Sequence, residues 1–252
     1  MFCAFLIIQN TKYHRALFFN SSNVLAANII EFSDNIGAYF YLKRENQSLV
    51  EENMRLRNQL SPHVSSAEST VLLKDSVKLY KYIAAKVINN SVDKRNNTLT
   101  INLGLKDGIT EEMGVIGESG VVGKIRNVSN SNAVVTSLLH SNILISAVIK
   151  DKVNLCTVEW NGINTDLVDI KYVPRHYQID VGDSIFTSGY SSIFPEGVLI
   201  GTVANASISE EATFYNISVK LVNDFRKIDY VYVVQHMFKQ EIDSLNTMIE
   251  DE

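Results

Sequence analysis

From Ile36 to Leu60 the chain reads IGAYFYLKRENQSLVEENMRLRNQL, with Tyr39, Leu42, Asn46, Leu49, Asn53, Leu56 and Leu60 recurring at alternating spacings of three and four. That pattern is a heptad: Leu42, Leu49 and Leu56 fall at the d positions, and Asn46 and Asn53 at a. Leucine at d supplies burial. Asparagine at a costs stability but selects a parallel two-stranded register, where two amides can pair across the axis. Glu52 at g and Arg57 at the following e position are placed to bridge two chains. The helix is expected to begin near the N-capping residues Asn20-Ser21-Ser22-Asn23 and to stop at Ser61-Pro62. The pattern thus predicts a coiled coil within residues 20–62 and a homodimer built on it, the alternative being an ordinary amphipathic helix packed on its own domain. A polar linker, 63–78, follows.

Beyond Leu79 the period changes to two. TLTINLG sets Leu99, Ile101 and Leu103 against Thr98, Thr100 and Asn102. YNISVKLV sets Tyr215, Ile217, Val219 and Leu221 against Asn216, Ser218 and Lys220. Both read as half-buried strands. Between them lie short apolar runs such as YIAAKVI, AVVTSLL, ILISAVIK and DLVDIKYV, broken by Gly, Asn and Asp, with no long helical stretch. The class is therefore mainly β, in barrels or a sandwich. GVVGKIRNV from Gly120 and GVLIGTVANA from Gly197 echo one another, each preceded by an acidic-Gly turn, Asp107-Gly108 or Gly182-Asp183. The echo predicts two similar β units about 75 residues apart, with expected boundaries 79–160 and 161–238 and an acidic tail at 239–252.

The chain opens on MFCAFLII, eight apolar residues followed by QNTKYHR. A membrane-crossing helix needs roughly 20 apolar residues, so this octet cannot span a bilayer as it stands. It also lacks the charged start and small-residue cleavage site of a secretory signal. Residues 1–19 are read either as a short buried or interfacial segment or as the end of a membrane anchor.

Composition narrows the function classes. A chain of 252 residues with 46% hydrophobic content has enough apolar material for two domains. Its formal charge of -5 and pI near 5.6 provide no broad basic field, so nucleic acid is not an expected partner. Cys3 and Cys156 are too few and too isolated for a disulfide framework or a zinc site. Cys156 reads as a small hydrophobe on a strand.

Candidate chemistry is thin. Gly182-Asp183-Ser184 resembles a nucleophile triplet, but Ile185 and Phe186 follow where a serine hydrolase keeps glycines to let the substrate approach. Ser184 is therefore read as a strand residue fed by a turn, and His140 and His176, the conceivable bases, as loop or strand-end residues. Gly104, Gly108, Gly114, Gly117, Gly120 and Gly123 sit among short strands with no helix to receive a phosphate, and read as turn glycines. Neither a catalytic residue, a cofactor site nor a metal site is expected.

The stretch from Ala85 to Leu139, together with YVPRHYQIDVGDSIFTSGYSSIFPEGVLIGTV, closely resembles the MreC family of rod-shape-determining proteins. The likeness is most specific in Lys106-Asp107-Gly108-Ile109 with Gly120-Val121-Val122-Gly123, and in Thr187-Ser188-Gly189 with Phe194-Pro195-Glu196-Gly197. Gly189, Pro195 and Gly197 are the expected structural turn. Glu196 departs from the lysine common at its position in the family. The resemblance implies two small β-barrel subdomains preceded by a coiled coil and a single membrane helix, of which MFCAFLII would be the truncated end. It also implies a non-enzymatic scaffold in the inner membrane with its β domains on the outer face. Such a scaffold self-associates and links the MreB cytoskeleton, through MreD and RodA, to the penicillin-binding transpeptidase of wall elongation. The residues alone also admit a periplasmic adaptor of an efflux or secretion system, or a trypsin-like serine hydrolase.

Overall fold

The computed structural model describes residues 41–61, 63–64, 77–208, 213–239, 241–242 and 244. The expected anchor at 1–19, the first half of the expected helix and most of the acidic tail lie outside the described residues. Residues 41–60 are helical, as the heptad predicts. Among the described residues no helix is long and apolar enough to cross a membrane.

The ends of the expected linker pair as a short ladder, β1 (His63–Val64) with β2 (Val77–Lys78). Twelve further strands follow. In chain order they are β3 (Tyr80–Asn90), β4 (Asn96–Ile101), β5 (Gly114–Ile116), β6 (Val121–Val128), β7 (Ala133–His140) and β8 (Ile145–Ile149). Then come β9 (Val153–Glu159), β10 (Leu167–Lys171), β11 (Ser184–Thr187), β12 (Leu199–Ser207), β13 (Asn216–Leu221) and β14 (Tyr230–His236). The alternation read from the sequence holds: Leu99 and Ile101 on β4, and Ile217, Val219 and Leu221 on β13, are buried, while Asn216 and Lys220 are exposed. Cys156 on β9 is buried, its thiol donating to the Ala147 carbonyl at 3.3 Å.

The strands close into two six-stranded barrels, β14-β3-β4-β7-β6-β5 and β8-β9-β10-β13-β12-β11. Closure leaves no sheet edge to template aggregation along most of their length. The second barrel is inserted between β7 and β14 of the first. Chain order therefore does not part the barrels between residues 160 and 161, as the turn spacing suggests: β8 and β9 belong to the second barrel, and β14 returns to complete the first. The two barrels share one cyclic order. β3, β4, β5, β6 and β7 correspond to β9, β10, β11, β12 and β13, and only the sixth strand moves, standing last as β14 in the first barrel and first as β8 in the second. The echoed stretches from Gly120 and Gly197 lie on the corresponding strands β6 and β12.

Two glycines inside those strands do the same work. A β-carbon on Gly123 would overlap the carbonyl oxygen of Thr136 on β7, and one on Gly201 would overlap that of Lys220 on β13. Close backbone approach, rather than a turn, is what requires glycine here. Gly123→Ala and Gly201→Ala should each destabilise the chain by roughly 1–3 kcal/mol, the cost of overpacking. Gly182→Ala meets no atom within 4 Å and strains only the backbone, at φ 99°. Denaturant melts of the three variants check this order.

Candidate functional site

Two features gather the residues singled out above: the C-terminal part of the helix, and the Thr187–Val198 loop between β11 and β12.

Over residues 53–61 the helix has two faces. Asn53, Leu56 and Leu60 on the heptad seam are exposed, Leu60 at 82%. Met54, Arg57 and Asn58 are half-buried and Ser61 is buried. This second face meets the first half of β3, which extends beyond the part of that strand paired with β4. Ser61 Oγ donates to the Tyr80 carbonyl at 2.8 Å and accepts from the Tyr80 amide at 3.2 Å. The Asn58 side chain donates to the Tyr82 carbonyl at 3.0 Å and accepts from the Tyr82 amide at 2.9 Å. The Ala84 amide donates to Met54 Sδ at 3.3 Å. Arg57 lies over the Tyr232 ring, 5.0 Å from its centroid, and donates to the Glu118 carbonyl at 2.8 Å. Farther along the helix, Leu42 and Leu49 on the seam are 64% and 56% exposed, and Asn46 is exposed beside them.

The second feature turns on Thr187, which is 1% exposed. Its amide donates to the Val198 carbonyl at 2.9 Å, and its carbonyl accepts from the Gly197 amide at 3.1 Å. Its hydroxyl donates to the Pro195 carbonyl at 2.5 Å and accepts from the Val198 amide at 2.9 Å. One threonine thus pinches off the whole loop. Gly189 (φ 72°) and Gly197 (φ 82°) take the left-handed conformation that a β-carbon disfavours. Gly189, Pro195 and Gly197, expected from the sequence to form one turn, are held in this loop by Thr187 and by Glu196, whose Cβ lies 2.8 Å from where a β-carbon on Gly189 would stand.

The loop reaches the first barrel through Phe194, which is 3% exposed. Its ring lies 2.9 Å from where a β-carbon on Gly114 would stand, and that β-carbon would also overlap the Ile193 carbonyl. A β-carbon on Gly120 would overlap the Leu199 carbonyl. Asn223 closes the joint by donating to the Val121 carbonyl at 3.0 Å. Gly114 and Gly120, expected to serve turns, are therefore the seat on which the second barrel rests. Four of the glycines read as turn glycines do serve turns: Gly104 and Gly108 bound the turn after β4, and the Gly117 amide donates to the Gly120 carbonyl at 2.7 Å across the β5–β6 connection. Phe194, Thr187 and the helix residues 54, 58 and 61 were not predicted as functional positions, and Arg57, expected to bridge two chains, is instead held on the first barrel by the Tyr232 ring and the Glu118 carbonyl. Thr187 stands inside the Thr-Ser-Gly motif, which is the signal that could have found it.

Glu196-Gly197 forms a ridge between two clefts. One, of about 490 Å³, is bounded by Arg57, Ser61, Tyr82, Glu118 and Pro195. The other, of about 620 Å³, is bounded by Lys150, Asp151, Phe186 and Tyr190. Burial pushes the phenols of Tyr82 and Tyr232 above their ordinary value, against the opposing pull of Arg57, so both remain hydrogen-bond donors at neutral pH. Burial likewise pushes the Cys156 thiol up to about 12, which keeps it protonated and inert.

Ser184 is a strand residue opposite Thr202, its carbonyl accepting from the Lys150 amide at 3.2 Å. His140 is buried at the end of β7 in the first barrel, with Nδ1 accepting from the Asn142 amide at 3.0 Å. His176 stacks on Tyr177 in the β10–β11 connection, the centroids 4.2 Å apart. Among the described residues no group of three or more His, Cys, Asp or Glu side chains is placed to hold a metal ion. The arrangement suits recognition by shape and hydrogen bonding.

Comparison with known proteins bears on most of the chain. Residues 87–235, more than half of it, match the profile of the family described as "Rod shape-determining protein MreC, barrel core". The cell shape-determining protein MreC of Listeria monocytogenes is 26% identical over 198 residues, covering 77% of this chain and 63% of that protein. The Haemophilus influenzae protein of the same name is 26% identical over 217 residues, covering 85% of this chain and 59% of that protein. The chain thus spans about three-fifths of the length of these relatives, which are named for cell shape rather than for a reaction. Among solved structures, MreC of Pseudomonas aeruginosa superposes with a TM-score of 0.57 at 21% identity, covering 61% of this chain and 98% of that one. A complex between penicillin-binding protein PBP2 and MreC from Helicobacter pylori contains a chain that superposes with a TM-score of 0.52 at 15% identity, covering 63% of this chain and 99% of that one. These likenesses show the two-barrel fold.

Gly189→Ala should destabilise more than Gly197→Ala. Both replace a left-handed residue, costing about 1–2 kcal/mol, but only at Gly189 does the new β-carbon also press on Glu196, since Gly197 meets nothing within 4 Å. Thermal melts of the two variants give the order, and equal melting points would contradict it.

Proposed function

The chain belongs to the MreC family, and we propose that it is a non-catalytic scaffold of cell-wall elongation: it associates through its helix and presents its barrels to a penicillin-binding transpeptidase. The observation that carries the reading is the two-faced helix. Over residues 53–61 Leu56 and Leu60 are exposed while Met54, Arg57, Asn58 and Ser61 on a separate face are fastened to the first barrel, an arrangement that leaves apolar area for a second copy. Association with the transpeptidase is supported by the PBP2 complex of the Helicobacter pylori relative. The ridge at Glu196 and its two flanking clefts offer a surface for such a contact.

Anchoring in the inner membrane by a single helix, with the barrels on its outer face, extends the same reading, as do partnership with MreD and RodA and an indirect link to MreB. Their support is the family resemblance. An efflux adaptor fits less well: the element interrupting the first barrel is a second barrel, where such adaptors insert a helical hairpin. A hydrolase fits less well because Ser184 is committed to a strand ladder.

Sedimentation equilibrium of the chain from Asn20 onward tests the association. The parent should sediment as a dimer at tens of micromolar. Replacing Leu49 and Leu56 by Ala should leave monomers, since each buried leucine lost costs roughly 2–5 kcal/mol. Replacing Asn46 and Asn53 by Leu should strengthen association while loosening its stoichiometry. Added elongation transpeptidase should co-sediment with the parent. A parent that is monomeric, or that leaves the transpeptidase free, contradicts the corresponding half of the proposal.

A further inference from the structure

Closing a sheet into a barrel pairs both edges of every strand, but the first half of β3 is paired on one edge only. β14 runs along it from Tyr80 to Lys86, whereas β4 joins only from Val87 onward. The edge facing away from β14 therefore offers the backbone groups of Tyr80, Tyr82 and Ala84, and a bare edge of this kind pairs with any extended chain.

The helix covers it with side chains. Ser61, Asn58 and Met54 meet Tyr80, Tyr82 and Ala84 in antiparallel order. Asn58 and Ser61 each donate to a carbonyl and accept from the amide of the same residue, as a neighbouring strand would. Seven helical residues advance about 10 Å and four strand residues about 13 Å, close enough for side chains of different length to reach successive rungs. At the next rung Asn102 takes over, its side-chain oxygen accepting from the Lys86 amide at 2.7 Å.

The composition of this contact decides how it behaves. No leucine of the stripe is used, and the residues that reach the barrel bind it through hydrogen bonds, a thioether and one cation–π contact. Met54, Arg57 and Asn58 are only half-buried, so water can replace their bonds, and hydrogen bonds exchanged with water contribute little net stability. β14, by contrast, is locked by the buried Val231, Val233 and Val234.

We propose that residues 54–61 form a releasable strap over the open edge of β3, which opens as a unit while the barrel stays folded. Closed, it satisfies the backbone groups of Tyr80, Tyr82 and Ala84. Open, it exposes the edge. The inference does not depend on what the leucine stripe pairs with.

Hydrogen exchange on the whole chain, read residue by residue, tests it. In the parent, the amides of Tyr80, Tyr82 and Ala84 should share one protection factor, lower than those of the amides of β14. In the Asn58→Ala/Ser61→Ala double variant all three should accelerate about tenfold or more, with β14 unchanged. Ala84 is the decisive reporter because its own acceptor, Met54, is intact. Asn58→Asp is the second variant: it keeps the size of Asn58 and the acceptor but turns a second acceptor on the Tyr82 carbonyl, and it should give the same joint acceleration. If Tyr80 and Tyr82 accelerate while Ala84 keeps its parental rate, the rungs are independent and there is no strap. If β14 accelerates equally, the edge opens only with the barrel. If nothing accelerates, the hydrogen bonds do not hold the helix. Each of these three results overturns the proposal.

Discussion

A strand edge left unpaired exposes a row of backbone donors and acceptors, and the need to satisfy such edges organises this chain. Twelve of its strands resolve the problem by closing into two barrels. The remaining overhang, the start of β3, is resolved by three side chains from the helix. Residues 54–61 are thereby drawn to the barrel by polar side chains, and Leu56 and Leu60 are left exposed. That orientation follows from backbone hydrogen bonding, yet it determines which surface is left for association.

The same economy explains the joint between the barrels. Inserting one barrel into another leaves two connections crossing the boundary, residues 141–144 and 222–229, too little by itself to hold two bodies in one orientation. The loop pinched off by Thr187 adds a third contact, with Phe194 seated at Gly114 and Leu199 at Gly120. Backbone packed on backbone has no side-chain freedom to absorb movement, so the joint is stiff wherever those glycines stand. A scaffold that presents a surface assembled from two barrels gains from such stiffness.

Much of this was legible in the sequence because periodicity reports local exposure faithfully. The leucine heptad marked the helix, alternation marked β4 and β13, and the echo of Gly120 and Gly197 marked two similar β units, whose shared strand order only the structure gives. The partition between barrels was not legible. It depends on β14 pairing with β3 across most of the chain, and no local pattern encodes a partner so distant. Gly114 and Gly123 were misread as turn glycines for the same reason: what forbids their β-carbons is a neighbour remote in sequence. Thr187 lay within a recognised motif, but its role rests on four hydrogen bonds that only the folded loop assembles.

The central claim is that one helix serves two partners on opposite faces, a second copy on the heptad seam and its own barrel on the other. Single cysteines placed along residues 42–61, in a chain with Cys3 and Cys156 replaced by Ala, test it directly by oxidative cross-linking. The account predicts disulfide-linked dimers at 42, 46, 49, 53, 56 and 60, and none at 54, 57, 58 or 61. Cross-linking at the latter four positions, or a yield without heptad periodicity, would contradict it.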